Sequence, residues 1–189
     1  MRLFAALLPP APAADELAAA VRALHALPGA DRLRWTGQES WHLTLAFYGE
    51  VGGDTLPELG ERLARAAARA RAPRLALTGA GRFGDRTLWT GADGDRTELH
   101  RLAQAAEAAG RRCGLRTEEG RRFHAHLTLA RARRGRPVDL RPYVTALGGF
   151  AGGPWTAHEL ALVRSNPPAA GVPGAQPHYE TVTAWPLPG

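Results

Sequence analysis

The tetrapeptide His-Leu-Thr-Leu is written twice in this chain, at His42-Leu43-Thr44-Leu45 and at His126-Leu127-Thr128-Leu129, each time inside an apolar, strand-like stretch. In an extended strand successive side chains alternate between faces, so each copy presents an imidazole and a hydroxyl together and turns two leucines the other way. A single copy would be an ordinary solvent-facing His and Thr on a half-buried strand; the repetition sets it apart. The copies stand a little under half of the 189-residue chain apart. That interval is too long for a solenoid repeat but suits two similar lobes facing each other across a cleft. If the two strands come together, two imidazoles and two hydroxyls converge, which is the equipment for moving protons on both sides of a phosphorus centre.

The elements around the motifs repeat in the same sense. Arg2 to Leu8 reads as a first strand, because the apolar run stops at Pro9-Pro10, short of a signal-peptide core. Leu17, Val21 and Leu24 give helical spacing over 15–27, and Leu33 to Trp35 and Trp41 to Tyr48 read as strands. Gly49 to Gly53 is a turn before Thr55, whose Thr-x-x-Glu pattern with Glu58 predicts a capping box for a helix over 56–72. Leu75 to Thr78 and Thr87 to Thr90 read as a strand pair around a glycine loop, and Glu98 to Ala109 as a helix closed by Gly110. Phe123 to Arg131 carries the second motif. A short helix over 140–147, a strand over 155–163, a Pro/Gly loop from Pro167 to Pro177 and a strand ending near Trp185 follow. Strand, helix, motif strand and helix in the first half thus have an approximate echo in the second. The expected fold is α+β: one bilobal domain over 1–189, with two antiparallel sheets, outer helices and a central cleft between pseudo-twofold lobes.

Composition narrows the chemistry. All 24 basic residues are Arg, and the formal net charge is +6. Without a lysine no P-loop, Schiff-base, pyridoxal-phosphate or lysyl-adenylate mechanism can run through these side chains, so nucleotide-activated ligation is excluded. The arginine surplus fits an anionic partner such as RNA, and equally a coding bias toward Arg and Ala. One cysteine, Cys113, forms no internal disulfide, and no stretch approaches the length of a membrane span. A cytoplasmic monomer with no membrane contact is the expected setting.

Other motifs compete less well. Gly79-Ala80-Gly81-Arg82-Phe83-Gly84 has dinucleotide-turn spacing, yet it leads into the strand-like Thr87 to Thr90 instead of a helix. His124 and His126 form His-x-His, and with His42 they would make a three-histidine zinc site with an open position. Few carboxylates are near to support it (Glu39, Glu50, Glu118 and Glu119), and it leaves both threonines without a role. Cys113 beside Arg111 and Arg112 reads as a small buried thiol, and Ser40 and Ser165 lack a nucleophile elbow.

With both motifs in hand, the chain resembles the two-histidine phosphoesterases, specifically the bacterial and archaeal RNA 2′,3′-cyclic phosphodiesterases also called 2′-5′ RNA ligases. The likeness runs through Arg2 to Ala6, Leu33 to Trp35, His42 to Val51, Leu88-Trp89, Phe123 to Arg131 and Tyr179 to Leu187. Ala125, where the family usually has Pro, and Tyr48, where Leu is more usual, depart from it. The resemblance implies hydrolysis of a terminal 2′,3′-cyclic phosphate on RNA, or on small cyclic nucleotides, to a 2′-phosphate, with no metal and no cofactor. His42 would be the proton donor and His126 the acceptor. Thr44 and Thr128 would donate to the non-bridging oxygens, and Arg131 would help bind phosphate. Arg131 lies five residues after His126 and would face the wrong side of a regular strand, so a bulge or a strand end is required. Phe83, Trp89, Phe123 and Tyr48 are candidates for base stacking, although most such rings pack in cores. Two other readings stay open: a zinc-dependent phosphohydrolase built on the histidines, and a non-catalytic module that holds RNA ends.

Overall fold

The computed structural model describes residues 1–117, 122–168 and 176–189. Glu118 and Glu119, and most of the loop expected from Pro167 to Pro177, lie outside the described residues. Two antiparallel sheets make up the fold. The first has four strands in the order β3 (Leu43–Glu50), β1 (Arg2–Leu7), β8 (Glu159–Asn166) and β9 (His178–Pro186). The second has five, in the order β2 (Leu33–Trp35), β6 (His126–Ala132), β5 (Thr87–Gly94), β4 (Arg74–Phe83) and β7 (Trp155–Thr156). Helices α2 (Leu56–Arg69) and α3 (Arg96–Arg112) lie against the four-stranded sheet through β3 and β9, while α1 (Ala11–Leu24) and α4 (Arg141–Leu147) lie against β4 of the other.

The lobes therefore do not divide at the middle of the sequence. Strand β2 and helix α1, from the first half, belong to the five-stranded lobe; β8, β9 and α3, from the second, belong to the four-stranded one. The strand expected over 155–163 breaks at the same kind of crossing, because Trp155–Thr156 pairs with β4 and the chain then passes to the other sheet as β8. Thr156, Ala157 and His158 keep the alternation going through the crossing, and only the adjacent polar pair His158-Glu159 marks it in the sequence.

Alternation does set the faces. Leu3, Ala5, Leu7, Leu43, Leu45, Leu160 and Leu162 join the main core, whereas Phe4, Ala6, Ala161 and Val163 form a separate apolar floor on the opposite face. Burying a Leu or Val side chain is worth about 1.5–3 kcal/mol, so these periodic rows fix which face meets helices and which meets the cleft.

Three local expectations change. Thr55 has helical backbone angles and makes no capping hydrogen bond; Glu58 is instead taken by Arg62, whose Nε and Nη2 donate to it at 2.9 and 2.7 Å. An i, i+4 ion pair thus replaces the capping box. Gly110 lies inside α3, and Gly114, at φ 72°, follows its end. The glycine loop is largely strand. Gly79 sits at an irregularity in β4 with φ 62°, Gly84 at φ 54° turns the hairpin, and a Cβ on Gly81 would land in the ring of Trp89. Sheet packing and a turn account for that pattern.

Tyr48 is buried, and its hydroxyl donates to the Ala106 carbonyl of α3 at 2.9 Å. Its ring lies where a side chain at position 110 would be, since a Cβ there would meet Tyr48 Cδ1 and Cε1 at 2.7 Å. Gly→Ala inside a helix normally stabilises by up to about 1 kcal/mol. Here the clash reverses the sign: Gly110→Ala is expected to destabilise by about 1–3 kcal/mol in denaturant unfolding, and adding Tyr48→Leu is expected to recover part of that loss. A stabilised Gly110→Ala protein would show that the ring yields freely.

Candidate active site

The two histidines are placed alike. His42 immediately precedes β3 after a 3-10 turn over Gln38–Ser40, and His126 is the first residue of β6. His42 Nδ1 is 2.8 Å from the Ser40 carbonyl, and His126 Nδ1 is 2.7 Å from the His124 carbonyl. A carbonyl only accepts, so in each ring Nδ1 carries the proton that it donates. Proton exchange therefore falls to Nε2 in both rings.

The motif strands belong to different sheets and approach each other across the cleft instead of pairing. Each is bulged at the last Leu of its motif. Leu45 is the extra residue between Ala5↔Ala46 and Ala6↔Thr44, and Leu129 the extra residue between Leu88↔Ala130 and Trp89↔Thr128. Burial follows: Leu45 and Ala46 are both buried, as are Leu129 and Ala130. The bulge shifts the phase by one, so the fifth residue after each histidine returns to the cleft face. That residue is Phe47 in one lobe and Arg131 in the other. The bulge that Arg131 requires is present.

A cavity of about 790 Å³ is lined from the first lobe by His42, Thr44, Phe4, Phe47 and Tyr179, and from the second by Arg131. His126 and Thr128 share the Arg131 face of β6 but do not line this cavity. His42 is held between Phe4, at 4.6 Å between ring centroids, and Tyr179, edge-on at 5.0 Å. His126 stands edge-on to Phe83 at 4.8 Å. Burial, above all, pushes the His42 pKa down to about 4; the Ser40 hydrogen bond opposes this, and the charges of His126 and Arg131 add to it. The two lobes are thus close enough for each to feel the other's charge.

Other candidates separate cleanly. Tyr48 is core. Phe83 and Trp89 wall in His126 and His124, and Phe123 sits against His100 at 6.0 Å. His124 faces Trp89 at 4.6 Å, and among the described residues no three His, Cys, Asp or Glu side chains converge as a metal set. Glu50 lines the cavity but pairs with the Met1 ammonium at 3.2 Å. Burial raises the Cys113 pKa, which disfavours the thiolate a nucleophile needs. Phe47 and Tyr179 line the cavity beside His42, and the motif reading passes over them. Extending the repeat by two residues finds Phe47; Tyr179 comes from β9 and has no sequence signal tying it to the motifs.

Two lobes that each set a His-x-Thr strand at the edge of one cleft define the architecture of a two-histidine phosphoesterase. The sequence matches the model described as LigT like Phosphoesterase over residues 7–89 and 92–173, and the chain belongs to that family. It is 32% identical over 163 residues, 82% of the chain, to an RNA 2′,3′-cyclic phosphodiesterase of Geobacillus stearothermophilus, and 37% identical over 102 residues, 52% of the chain, to one of Aeropyrum pernix. These alignments span 48% and 56% of those relatives, so the chain covers about half of their length. Among solved structures it resembles TT0787 of Thermus thermophilus, with a TM-score of 0.75 and 27% identity over 100% of this chain and 99% of that one. E. coli LigT complexed with 3′-AMP is similar, with a TM-score of 0.75 and 26% identity over 98% and 97%.

Proposed function

We propose that this chain is a cytoplasmic enzyme that opens the 2′,3′-cyclic phosphate at the ends of RNA to a 2′-phosphate, using paired histidines and no metal. The observation that carries this reading is the matched pair of imidazoles: each has Nδ1 tied to the carbonyl two residues back, and they stand on opposing lobes. The names of the curated relatives support the substrate class.

In the proposed reaction His126 Nε2 takes a proton from water as the water oxygen bonds to phosphorus. The P–O3′ bond breaks, and His42 Nε2 returns a proton to O3′. Each proton transfer contributes about 10²–10⁴-fold. Thr44 and Thr128 donate to the non-bridging oxygens as negative charge grows there, and Arg131 anchors the phosphate. For His42 to be the donor it must be protonated when substrate is bound. The phosphate anion works in that direction, because an adjacent negative charge favours the imidazolium. With an RNA 5′-hydroxyl in place of water, the same displacement joins ends through a 2′-5′ linkage: the hydroxyl oxygen bonds to phosphorus, P–O3′ breaks, and no nucleotide cofactor is needed.

Purified protein treated with a chelator is expected to convert a cyclic-ended oligonucleotide and a cyclic mononucleotide to 2′-phosphates at the untreated rate. Loss of turnover that zinc restores would establish the metallohydrolase instead. Tight, salt-sensitive binding without turnover would establish an end-binding module.

A further inference from the structure

Three residues occupy one row across the five-stranded sheet. Arg131 on β6 is paired directly with Thr87 on β5 and with Arg34 on β2. Directly paired residues of antiparallel strands project from the same face, so Arg34 and Arg131 put two like-charged side chains at neighbouring positions of one face. Like charges in that relation are destabilising unless a carboxylate relieves them. Among the described residues neither arginine forms an ion pair, and Arg131 Nη1 donates to the neutral Thr87 hydroxyl at 3.3 Å. The helix arginines Arg62, Arg65, Arg101 and Arg111, by contrast, each face a glutamate three or four residues away on their own helix. Burial above all holds the Arg131 guanidinium below its ordinary pKa; Tyr179 opposes this, and the neighbouring Arg34 charge adds to it.

The two arginines differ in position. Arg131 lines the cavity beside His42 and Thr44, whereas β2 is the edge strand, so Arg34 stands one strand spacing, about 4.8 Å, farther out along the same face. A chain whose terminal phosphate lies against Arg131 has its next phosphate within reach of a side chain as long as Arg34. A guanidinium fork matches the two non-bridging oxygens of that group.

We propose that Arg34 binds the penultimate phosphodiester of an RNA strand whose cyclic end is held at Arg131, so that the site prefers oligonucleotides to cyclic mononucleotides. This rests on the function proposed above and names its substrate class more narrowly.

The test compares a cyclic-ended trinucleotide with a cyclic mononucleotide in wild type, Arg34→Gln and Arg34→Lys. In Arg34→Gln the ratio of kcat/KM for the trinucleotide to that for the mononucleotide is expected to fall about tenfold. Its dependence on salt should be shallower by about 0.7 in log–log slope, one phosphate contact on a single strand. Arg34→Lys keeps the charge and is expected to keep the slope. A ratio unchanged in Arg34→Gln, whether or not both activities fall, would overturn the proposal, as would a wild-type ratio near one. Affinity for a 2′-phosphate-ended trinucleotide, titrated against salt in the same proteins, reads the contact without turnover. An inactive wild type that still shows the slope change would therefore sink the enzymatic reading while leaving the phosphate contact in place.

Discussion

Replacing His42 or His126 by Ala is expected to lower kcat for a cyclic-ended oligonucleotide at least about a hundredfold each, with the double variant losing little more than the worse single one. In the proposed reaction each imidazole supplies one of two proton transfers in a single displacement, and groups that act as a unit are far from additive. Turnover close to wild type in either variant would remove that residue from the reaction. His126→Ala also exposes the state of His42, because substrate binds there without being opened. With its pKa near 4 in the free protein, His42 is neutral at neutral pH. A bound cyclic diester, monoanionic throughout, raises that pKa, so binding takes up a proton. Affinity for a cyclic mononucleotide should therefore strengthen as pH falls from neutrality, and level off once the free protein is itself protonated. In this variant the plateau should begin slightly above pH 4, since the His126 charge that helps hold the pKa down is gone. Affinity that is flat with pH while His42→Ala remains inactive would show that the phosphate does not sit against His42.

Much of the candidate site is legible in the sequence because its parts are local. A His and a Thr two residues apart share a strand face whatever the rest of the chain does, and the repeat names both halves. The position of Arg131 is half legible: the spacing demands a bulge or a strand end, but only the register with β5 shows that it is a bulge at Leu129, matched by one at Leu45 in the other lobe. Tyr179 as a cavity residue and Arg34 as the neighbour of Arg131 are illegible because no local pattern marks them. One enters from β9 and the other through an edge strand of three residues. The same limit hides the interleaving of the lobes, since the near-alternating stretch from Trp155 to Leu160 reads as one strand although its two ends lie in different sheets.

Thr44→Val and Thr128→Val are expected to lower kcat about a hundredfold each, the scale of removing one donor to a developing oxyanion, with KM changed far less. Valine keeps the β-branched shape, and both threonines are half-buried on the cleft face, so the strands should hold and the unfolding midpoint should barely move. Serine at either position returns the hydroxyl and should return most of the rate. The lobes need not respond equally. Thr44 pairs with Ala6 of β1 and lines the cavity, whereas Thr128 pairs with Trp89 of β5, whose ring covers Gly81 of β4. If either valine variant turns over like wild type, the hydroxyl at that position serves the strand and not the phosphate, and charge stabilisation falls to Arg131 and the remaining threonine.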